Sequence, residues 1–326
     1  MTAERVSVVV PVYRVEAYVA DCVRSIAAQT RRVDELVLVD DRGGDASVRI
    51  AVEAARRGGL DPTIVRMPAN AGPGAARNAG LAASGGSLVW FCDADDVAAP
   101  RLVERLVRAL EASGADSATC RTLRFGGGAP EGPVEEPLGA DVLTGRAFAI
   151  ALLDGRVRGY PANRIFRRTG LGDAPFPDGV AYEDLGTVLR LALASERVAV
   201  VDEPLYRYRR SAGSLSSRFG PHTFDLLAQL ADVERALSGD RDPQLRAAFR
   251  RYRYREVILP LANMALRAQH ADGRAPLNSR AVRDARALVR TRDLAVLAAR
   301  GSWPLARAAA VLRTSPRLYS GALRVR

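Results

Sequence analysis

Lysine is absent from the 326 residues, so all 48 Lys+Arg positions are arginine. We read this as the codon bias of a GC-rich genome. It excludes a Walker-type phosphate loop, which needs its lysine, and it excludes lysine Schiff-base and pyridoxal-phosphate chemistry. Histidine is nearly absent too: His222 and His270 are the only two. Cys22, Cys92 and Cys120 are widely spaced and fit neither a zinc pattern nor a disulfide framework. These five side chains read as structural or incidental. No apolar run reaches the ~20 residues of a spanning helix. The opening MTAERVSVVVPVY runs into a strand-like segment without a signal-peptide pattern, so the expected location is cytoplasmic. A Gly-x-Gly-x-x-Gly fingerprint is missing after the first strand, where the chain reads PVYRVEA. That argues against a dinucleotide-dependent dehydrogenase. The basic, Gly-rich phosphate loop of a nucleotidyltransferase is missing at the same place.

What is present reads as globular protein. Hydrophobic residues make up 48% and charged residues 26%, and the length suits one large domain or two smaller ones. Charge is unevenly placed. Residues 221–326 hold 20 Arg against 9 Asp+Glu, whereas residues 1–220 hold 28 of each, so the whole net charge of +11 lies in the last third. A domain boundary near residue 220 follows, with a basic region 221–326 whose partner is a polyanion, a membrane surface or another subunit. Nucleic acid is not expected, because no recognised motif accompanies the arginines.

The first 125 residues alternate strand and helix patterns. Apolar runs at Ser7–Val12, Glu35–Val39, Thr63–Arg66 and Leu88–Cys92 read as buried strands, with a fifth at Asp116–Thr122. Helical spacing occupies Val15–Ala28, Ala46–Arg57, Pro73–Ala83 and Pro100–Ala112. The expected fold class is α/β, a Rossmann-like doubly wound, mostly parallel sheet. Gly126–Pro137 reads as a loop, and Leu185–Ala194 as a helix. Val198–Val201 and Leu205–Tyr208 read as strands. After residue 222 the pattern is helical, at Thr223–Leu237, Gln244–Ala268, Ser279–Leu288 and Leu305–Leu312.

Four polar clusters fall at the carboxyl ends of the inferred parallel strands, the edge where open α/β sheets bind ligands. Pro11-Val12-Tyr13 ends the first strand and Asp40-Asp41 the second. The loop Met67–Gly74, with Asn70, follows the third, and Asp93-Ala94-Asp95-Asp96 ends the fourth. Three carboxylates within four residues repel one another. A divalent cation of the Mg²⁺ or Mn²⁺ kind, shared with phosphate oxygens, would relieve them. The plain alternative is a solvated acidic turn in which Asp96 caps a helix. Asp40 at a strand end would accept from a base or ribose, or would only build a turn. Asn70–Asn78 is a Gly-rich entry into a helix with free amide groups, and its Arg77 would meet phosphate or base, or simply point outward.

The ordered set VSVVVPVYR, LVLVDD, NAGPGAARNAGL and LVWFCDADD resembles glycosyltransferase family 2, of GT-A fold. RIFRR, FPDGVAYED and PLYRYRRSAGSLS extend the resemblance to about residues 5–218, most like bacterial enzymes that decorate cell-wall or capsular polymers. It implies a nucleotide-sugar donor and a metal-dependent, inverting transfer to a glycan, wall-polymer or lipid-linked hydroxyl. Pro11, Tyr13 and Asp40, with Asp41 beside them, match nucleoside-holding positions, and Arg77 matches the arginine of a loop that closes on the donor. Asp93 and Asp95 match the metal-and-diphosphate motif. Glu183-Asp184 matches the pair whose Asp is the general base, although an acidic pair at a helix start is also what the dipole favours. Arg209 and Ser214 match a loop that touches the diphosphate. The late histidine ligand of many members has no counterpart before His222, which implies few protein ligands for the metal. The alternative function is a basic membrane- or polymer-binding scaffold with a relict transferase domain.

Residues 301–326 carry five Arg and no acidic residue, interleaved with Trp303, Leu305, Val311, Leu312, Leu318 and Tyr319. This fits an interfacial helix on an anionic membrane, at the inner face of the plasma membrane, or a helical subdomain that packs or oligomerises.

Overall fold

The computed structural model describes residues 4–128, 130–210, 219–272 and 275–324. The chain divides into two compact units. One comprises Met1–Leu152 with Arg156–Ala212, the other Leu153–Gly155 with Gly213–Arg326.

The first unit is built on one mixed sheet. Its strands are β1 (Val6–Val12), β2 (Glu35–Asp40), β3 (Thr63–Arg66), β4 (Leu88–Phe91), β5 (Val97–Ala98), β6 (Ser117–Phe125), β7 (Gly132–Pro133), β8 (Val142–Thr144), β9 (Arg164–Arg167) and β10 (Arg197–Arg209). The order is β3-β2-β1-β4-β9-β6-β10-β5, with β7 beside β6 and β8 beside β10. β1 pairs in parallel with β2 and β4, β2 with β3, and β6 with β10. β9 runs antiparallel between β4 and β6. Helices α1 (Val19–Ala27), α2 (Ser47–Arg57), α3 (Gly72–Ala83), α4 (Leu102–Ser113), α5 (Gly145–Leu153, all but its last residue) and α6 (Asp184–Ala194) complete this unit.

Alternation along the strands creates two cores, the reason their sequences are apolar without a break. Val6, Val8, Val10, Leu36, Leu38, Leu88 and Trp90 point to one face, where α1, α2 and α4 contribute Val23, Ala51 and Leu106. Val9, Val37, Val39, Val89 and Phe91 point to the other, against Ala76 and Leu81 of α3 and Phe176. The sheet is thus doubly wound. Its register pairs Val12 with Asp40 and Val9 with Phe91, which aligns the ends of β1, β2 and β4 along one rim.

Several elements differ from the sequence expectation for local reasons. α1 starts at Val19, because Val15–Tyr18 forms a turn whose Val15 N–H donates to Ser47 Oγ (2.8 Å). The two strands expected at 198–208 are one bent strand, β10, whose register shifts around Pro204, which has no N–H for the ladder. Gly126–Pro137 contains β7, paired with β6. β9 was not expected: RIFRR entered the sequence reading only as part of the family resemblance, with no strand assigned there.

The second unit is helical: α7 (Asp225–Ala236), α8 (Pro243–Tyr252), α9 (Leu259–Asp272), α10 (Ala275–Ala287), α11 (Thr291–Ala299), α12 (Trp303–Thr314) and α13 (Pro316–Arg324). The single helix expected over Gln244–Ala268 is interrupted by a π-helical turn, Arg253–Ile258, between α8 and α9. This turn directs Arg253 and Tyr254 at the buried Asp293 (both 3.2 Å), which Arg250 also holds at 2.9 Å. Among the described residues no helix is long and apolar enough to cross a membrane.

Candidate active site

The rim at the ends of β1, β2 and β4 gathers the polar clusters. Arg77 is its hub. It sits in the middle of α3, on the face turned to the sheet, with a side chain only 4% exposed. Its guanidinium bonds Asp93 Oδ1 at 2.7 Å, Asp184 Oδ1 at 3.0 Å and, closest of all, Glu183 Oε1. The guanidinium also lies over the Phe176 ring, 5.2 Å from its centroid. Burial alone would lower its pKa, but Asp184, Asp93 and Glu183 outweigh burial and hold the charge firmly. Arg77 is therefore neither an outward helix residue nor a loop residue.

Two glycines and one asparagine make this junction possible. A Cβ on Gly74 would lie 2.4 Å from Pro177 O, so α3 approaches the 175–177 segment only with glycine there. Asn78 then clamps Phe176 both ways, donating from Nδ2 to its carbonyl (2.8 Å) and accepting its N–H on Oδ1 (3.1 Å). Gly159 packs on the first turn of α6, where a Cβ would stand 2.7 Å from Leu185 Cα. Tyr182 takes a left-handed backbone (φ 62°) immediately before the acidic pair, a conformation that a non-glycine residue adopts at a cost of ~1–3 kcal/mol. Glu183 is the N-cap of α6 and Asp184 opens its first turn, where the helix dipole favours carboxylates. Burial, then Glu183, raises the Asp184 pKa well above the usual carboxylate range, and Arg77 only partly opposes this.

The Asp93–Asp96 segment divides its labour. Asp96 is fully buried. Its Oδ2 accepts from the Tyr206 hydroxyl (2.7 Å) and its Oδ1 from the Arg209 N–H (2.7 Å). Asp96 thus fastens this loop to the end of β10, and the strand β5, not a helix, follows it. Asp93 is 30% exposed and Asp184 29% exposed, so both carboxylates reach the surface of the rim. Among the described residues no side chain pairs with the Asp95 carboxylate, and burial together with Asp93 pushes its pKa up to about 6. A carboxylate in that position calls for a cation. Among the described residues no group of three or more His, Cys, Asp or Glu side chains forms a ready metal cage. Asp95 and Asp93 are the two carboxylates of this loop that could hold a divalent ion, and phosphate oxygens and water would have to complete its shell. Arg209 is locked beside them. Its Nε donates to Asp95 O (2.8 Å), and its guanidinium stacks on Tyr18 and Phe125, at 5.0 and 4.7 Å.

The positions expected to hold the nucleoside lie on a separate stretch of the same rim. Val12, Asp40, Arg42, Gly43, Gly44, Asp45 and Val48 enclose a cleft of ≈ 170 Å³. Pro11 is half-buried in β1, and the Tyr13 ring, 40% exposed, lies under Arg14. Asp40 accepts the Arg42 N–H at 3.0 Å. Asp41 is buried, and its carboxylate takes the N–H groups of Ala71 (2.9 Å) and Gly72 (3.0 Å), tying down the start of α3. Asn70 is exposed in the loop ahead of α3, and Ala94 is buried between the two aspartates. Ser214 lies outside the described residues. Sequence reasoning passed over Asn78, Phe176 and Tyr206. The alternation of Tyr and Arg in PLYRYRR was the one local signal for Tyr206.

An open sheet with a carboxylate-lined rim at its strand ends, helices on both faces and an antiparallel strand inserted at β9 is the layout of a nucleotide-dependent transferase. Residues 7–171 match the family described as Glycosyl transferase family 2, just over half of the chain, and the chain belongs to that family. EpsH of Bacillus subtilis (strain 168), described as a putative glycosyltransferase, is 28% identical over 236 residues, 69% of this chain and 66% of EpsH. TarS of Staphylococcus aureus (strain MW2), a poly(ribitol-phosphate) beta-N-acetylglucosaminyltransferase, is 26% identical over 239 residues, 70% of this chain and 40% of TarS. The chain thus spans two thirds or less of the length of both relatives. In structure it resembles S. aureus TarS 1–349 in complex with UDP-GlcNAc, with a TM-score of 0.74 at 21% identity over 98% of this chain and 92% of that one. It also resembles the mannosyltransferase PcManGT from Pyrobaculum calidifontis in complex with GDP-Man and Mn2+, with a TM-score of 0.59 at 19% identity over 100% and 87%. At these identities the likeness is one of fold, and that fold is the GT-A fold the sequence resemblance implied.

Proposed function

We propose that the chain is an inverting glycosyltransferase that moves a sugar from a nucleoside diphosphate donor, a UDP-sugar in the first instance, to a hydroxyl of a cell-wall, capsular or lipid-linked glycan. The observation that carries this reading is the Arg77 junction, which joins Asp184 to Asp93 through one guanidinium. In this reading residues 1–220 do the chemistry on the cytoplasmic side of the membrane, and the basic region 221–326 serves the acceptor side. Pro11, Val12, Tyr13 and Asp40 hold the nucleoside along the cleft at the end of β1, with Asp41 and Asn70 shaping the loop beside it. Ala94, Arg209 and Ser214 flank the diphosphate. Asp95 and Asp93 hold Mn²⁺ or Mg²⁺, which when bound offsets charge on the departing diphosphate.

Asp184 takes the proton of the acceptor hydroxyl, whose oxygen attacks the anomeric carbon opposite the leaving group. One displacement of this kind inverts that carbon. Glu183, buried against Arg77, keeps the pair in place. Support for the donor class comes from the relatives whose structures hold UDP-GlcNAc or GDP-Man with Mn2+, and for the acceptor class from TarS.

A panel of nucleotide sugars tested with Mn²⁺ by thermal shift checks the reading. The true donor raises the midpoint as its concentration exceeds Kd, and is slowly hydrolysed when no acceptor is present. A panel that neither stabilises the protein nor is hydrolysed would overturn the assignment.

A further inference from the structure

The helices α11–α13 present one kind of charge to solvent. Between Thr291 and Leu323 the only acidic residue is Asp293. It is buried, and Arg250 and Arg253 hold it. Arg292, Arg300, Arg307, Arg313 and Arg317 are all exposed. α12 and α13 also carry the two most exposed large hydrophobic side chains among the described residues, Trp303 at 67% and Leu318 at 70%.

The helical faces explain the exposure. α12 turns Ala306, Ala309 and Leu312 inward and leaves Trp303, Arg307 and Thr314 along its outer stripe. α13 turns Tyr319 inward, where its hydroxyl donates to Asn263 Oδ1 at 2.7 Å, and leaves Arg317 and Leu318 outside. Folding therefore consumes the apolar residues that α12 and α13 need for packing and still leaves a tryptophan and a leucine in water among arginines. A soluble polyanion would satisfy the arginines but not Trp303 and Leu318. A bilayer interface satisfies both: indole sits at headgroup level, leucine reaches the acyl boundary, and arginine keeps its head among lipid phosphates while its stem lies flat.

We propose that the outer face of α12 and α13 is a docking surface for an anionic phospholipid bilayer, on which these helices lie flat. The two helices have 12 and 9 residues, too short to span. The inference stands independently of the transferase reading.

Tryptophan fluorescence offers a direct test, because the chain has two tryptophans and Trp90 is fully buried. The 326-residue protein is mixed with vesicles of phosphatidylcholine alone or with an equal share of phosphatidylglycerol. With the anionic vesicles, at about 0.05 M salt, the protein co-sediments and its emission shifts to shorter wavelength. Both effects fade toward about 1 M salt, where the Debye length has shrunk to ~3 Å. Trp303→Ser abolishes the shift and weakens binding. Arg307→Gln and Arg317→Gln each weaken it about fivefold, the equivalent of ~1 kcal/mol per arginine near the surface. All three positions are exposed, so circular dichroism and thermal midpoint stay at parental values.

Three outcomes overturn the proposal. One is protein left in the supernatant with anionic vesicles at low salt. Another is Trp303→Ser and Leu318→Ser binding as tightly as the parent. The third is the same emission shift from soluble polyphosphate without lipid, which assigns the surface to a polyanion.

Discussion

Arg77 and Asp184, 107 residues apart in sequence, form an ion pair at 3.0 Å, and the same guanidinium holds Asp93 at 2.7 Å. One buried cation thus faces three carboxylates, and removing it leaves like charges against one another around the buried Glu183. Arg77→Gln is expected to lower unfolding stability by ~3–5 kcal/mol, the usual cost of stranding buried charge. Arg77→Lys should recover only part, since an ammonium lacks the planar fork that spans several carboxylates. Urea midpoints measure both. Parental stability in the glutamine variant would mean that the carboxylates are not jointly ionised.

Asp184→Asn should leave donor affinity near the parental value by calorimetry while transfer falls ~10²–10⁴-fold. The parent should also show an acid limb in its pH–rate profile. A base works ionised, so the rate declines as pH falls through the pKa of Asp184. Burial and Glu183 raise that pKa, which moves the limb above the ordinary carboxylate range of ~3.9. Turnover by the asparagine variant close to the parent would transfer the role to Glu183.

Tyr206 is expected to matter through Asp96 rather than through substrate. Its hydroxyl donates to a carboxylate with no exposed surface, and the Arg209 N–H is the other donor. Tyr206→Phe removes one of these two bonds and should cost ~1–3 kcal/mol. The variant should lose donor affinity as well, because the Asp93–Asp96 loop is fastened to β10 by this bond. A stable variant with parental donor affinity would show that the fastening is dispensable.

The strands and the carboxylates at their ends were legible because parallel strands buried on both faces must be apolar without interruption, and polar residues can only appear where such a run stops. Val6–Val12, Thr63–Arg66 and Leu88–Phe91 lie within a residue of their expected bounds. The Arg77 hub was not legible. In Ala75-Ala76-Arg77-Asn78 nothing local tells an inward arginine from an outward one, and its partners arrive from a distant turn set by Gly74, Gly159 and Tyr182. β9 was hidden for a similar reason. Arg164-Ile165-Phe166-Arg167 has no alternation, and its Arg164 is buried with its guanidinium donating to the carbonyls of Tyr160 and Arg158. Asp41, expected beside the nucleoside, holds the amides of Ala71 and Gly72, a bond pattern that no single segment announces.

Asp95 ties the metal to pH. In the folded protein its pKa stands at about 6, raised by burial first and by Asp93 second; in an unfolded chain an aspartate titrates near ~3.9. A raised pKa means that folding favours the protonated carboxyl. The stabilising contribution of that preference is complete below the unfolded pKa and is lost as pH rises through the folded one. Metal-free protein should therefore lose part of its stability between about pH 4 and pH 6–7. Asp95→Asn, which cannot ionise, should lack this component and be the more stable of the two at pH 7 without metal. Mn²⁺ reverses the order. It binds the ionised carboxylate, so it should stabilise the parent increasingly as pH rises past about 6 and leave the asparagine variant almost unmoved. Thermal midpoints of both proteins across pH 4–8, with and without Mn²⁺ and nucleoside diphosphate, give four curves. A parent and a variant whose metal-free curves are parallel would remove the raised pKa, and equal Mn²⁺ stabilisation of both would remove Asp95 from the metal site.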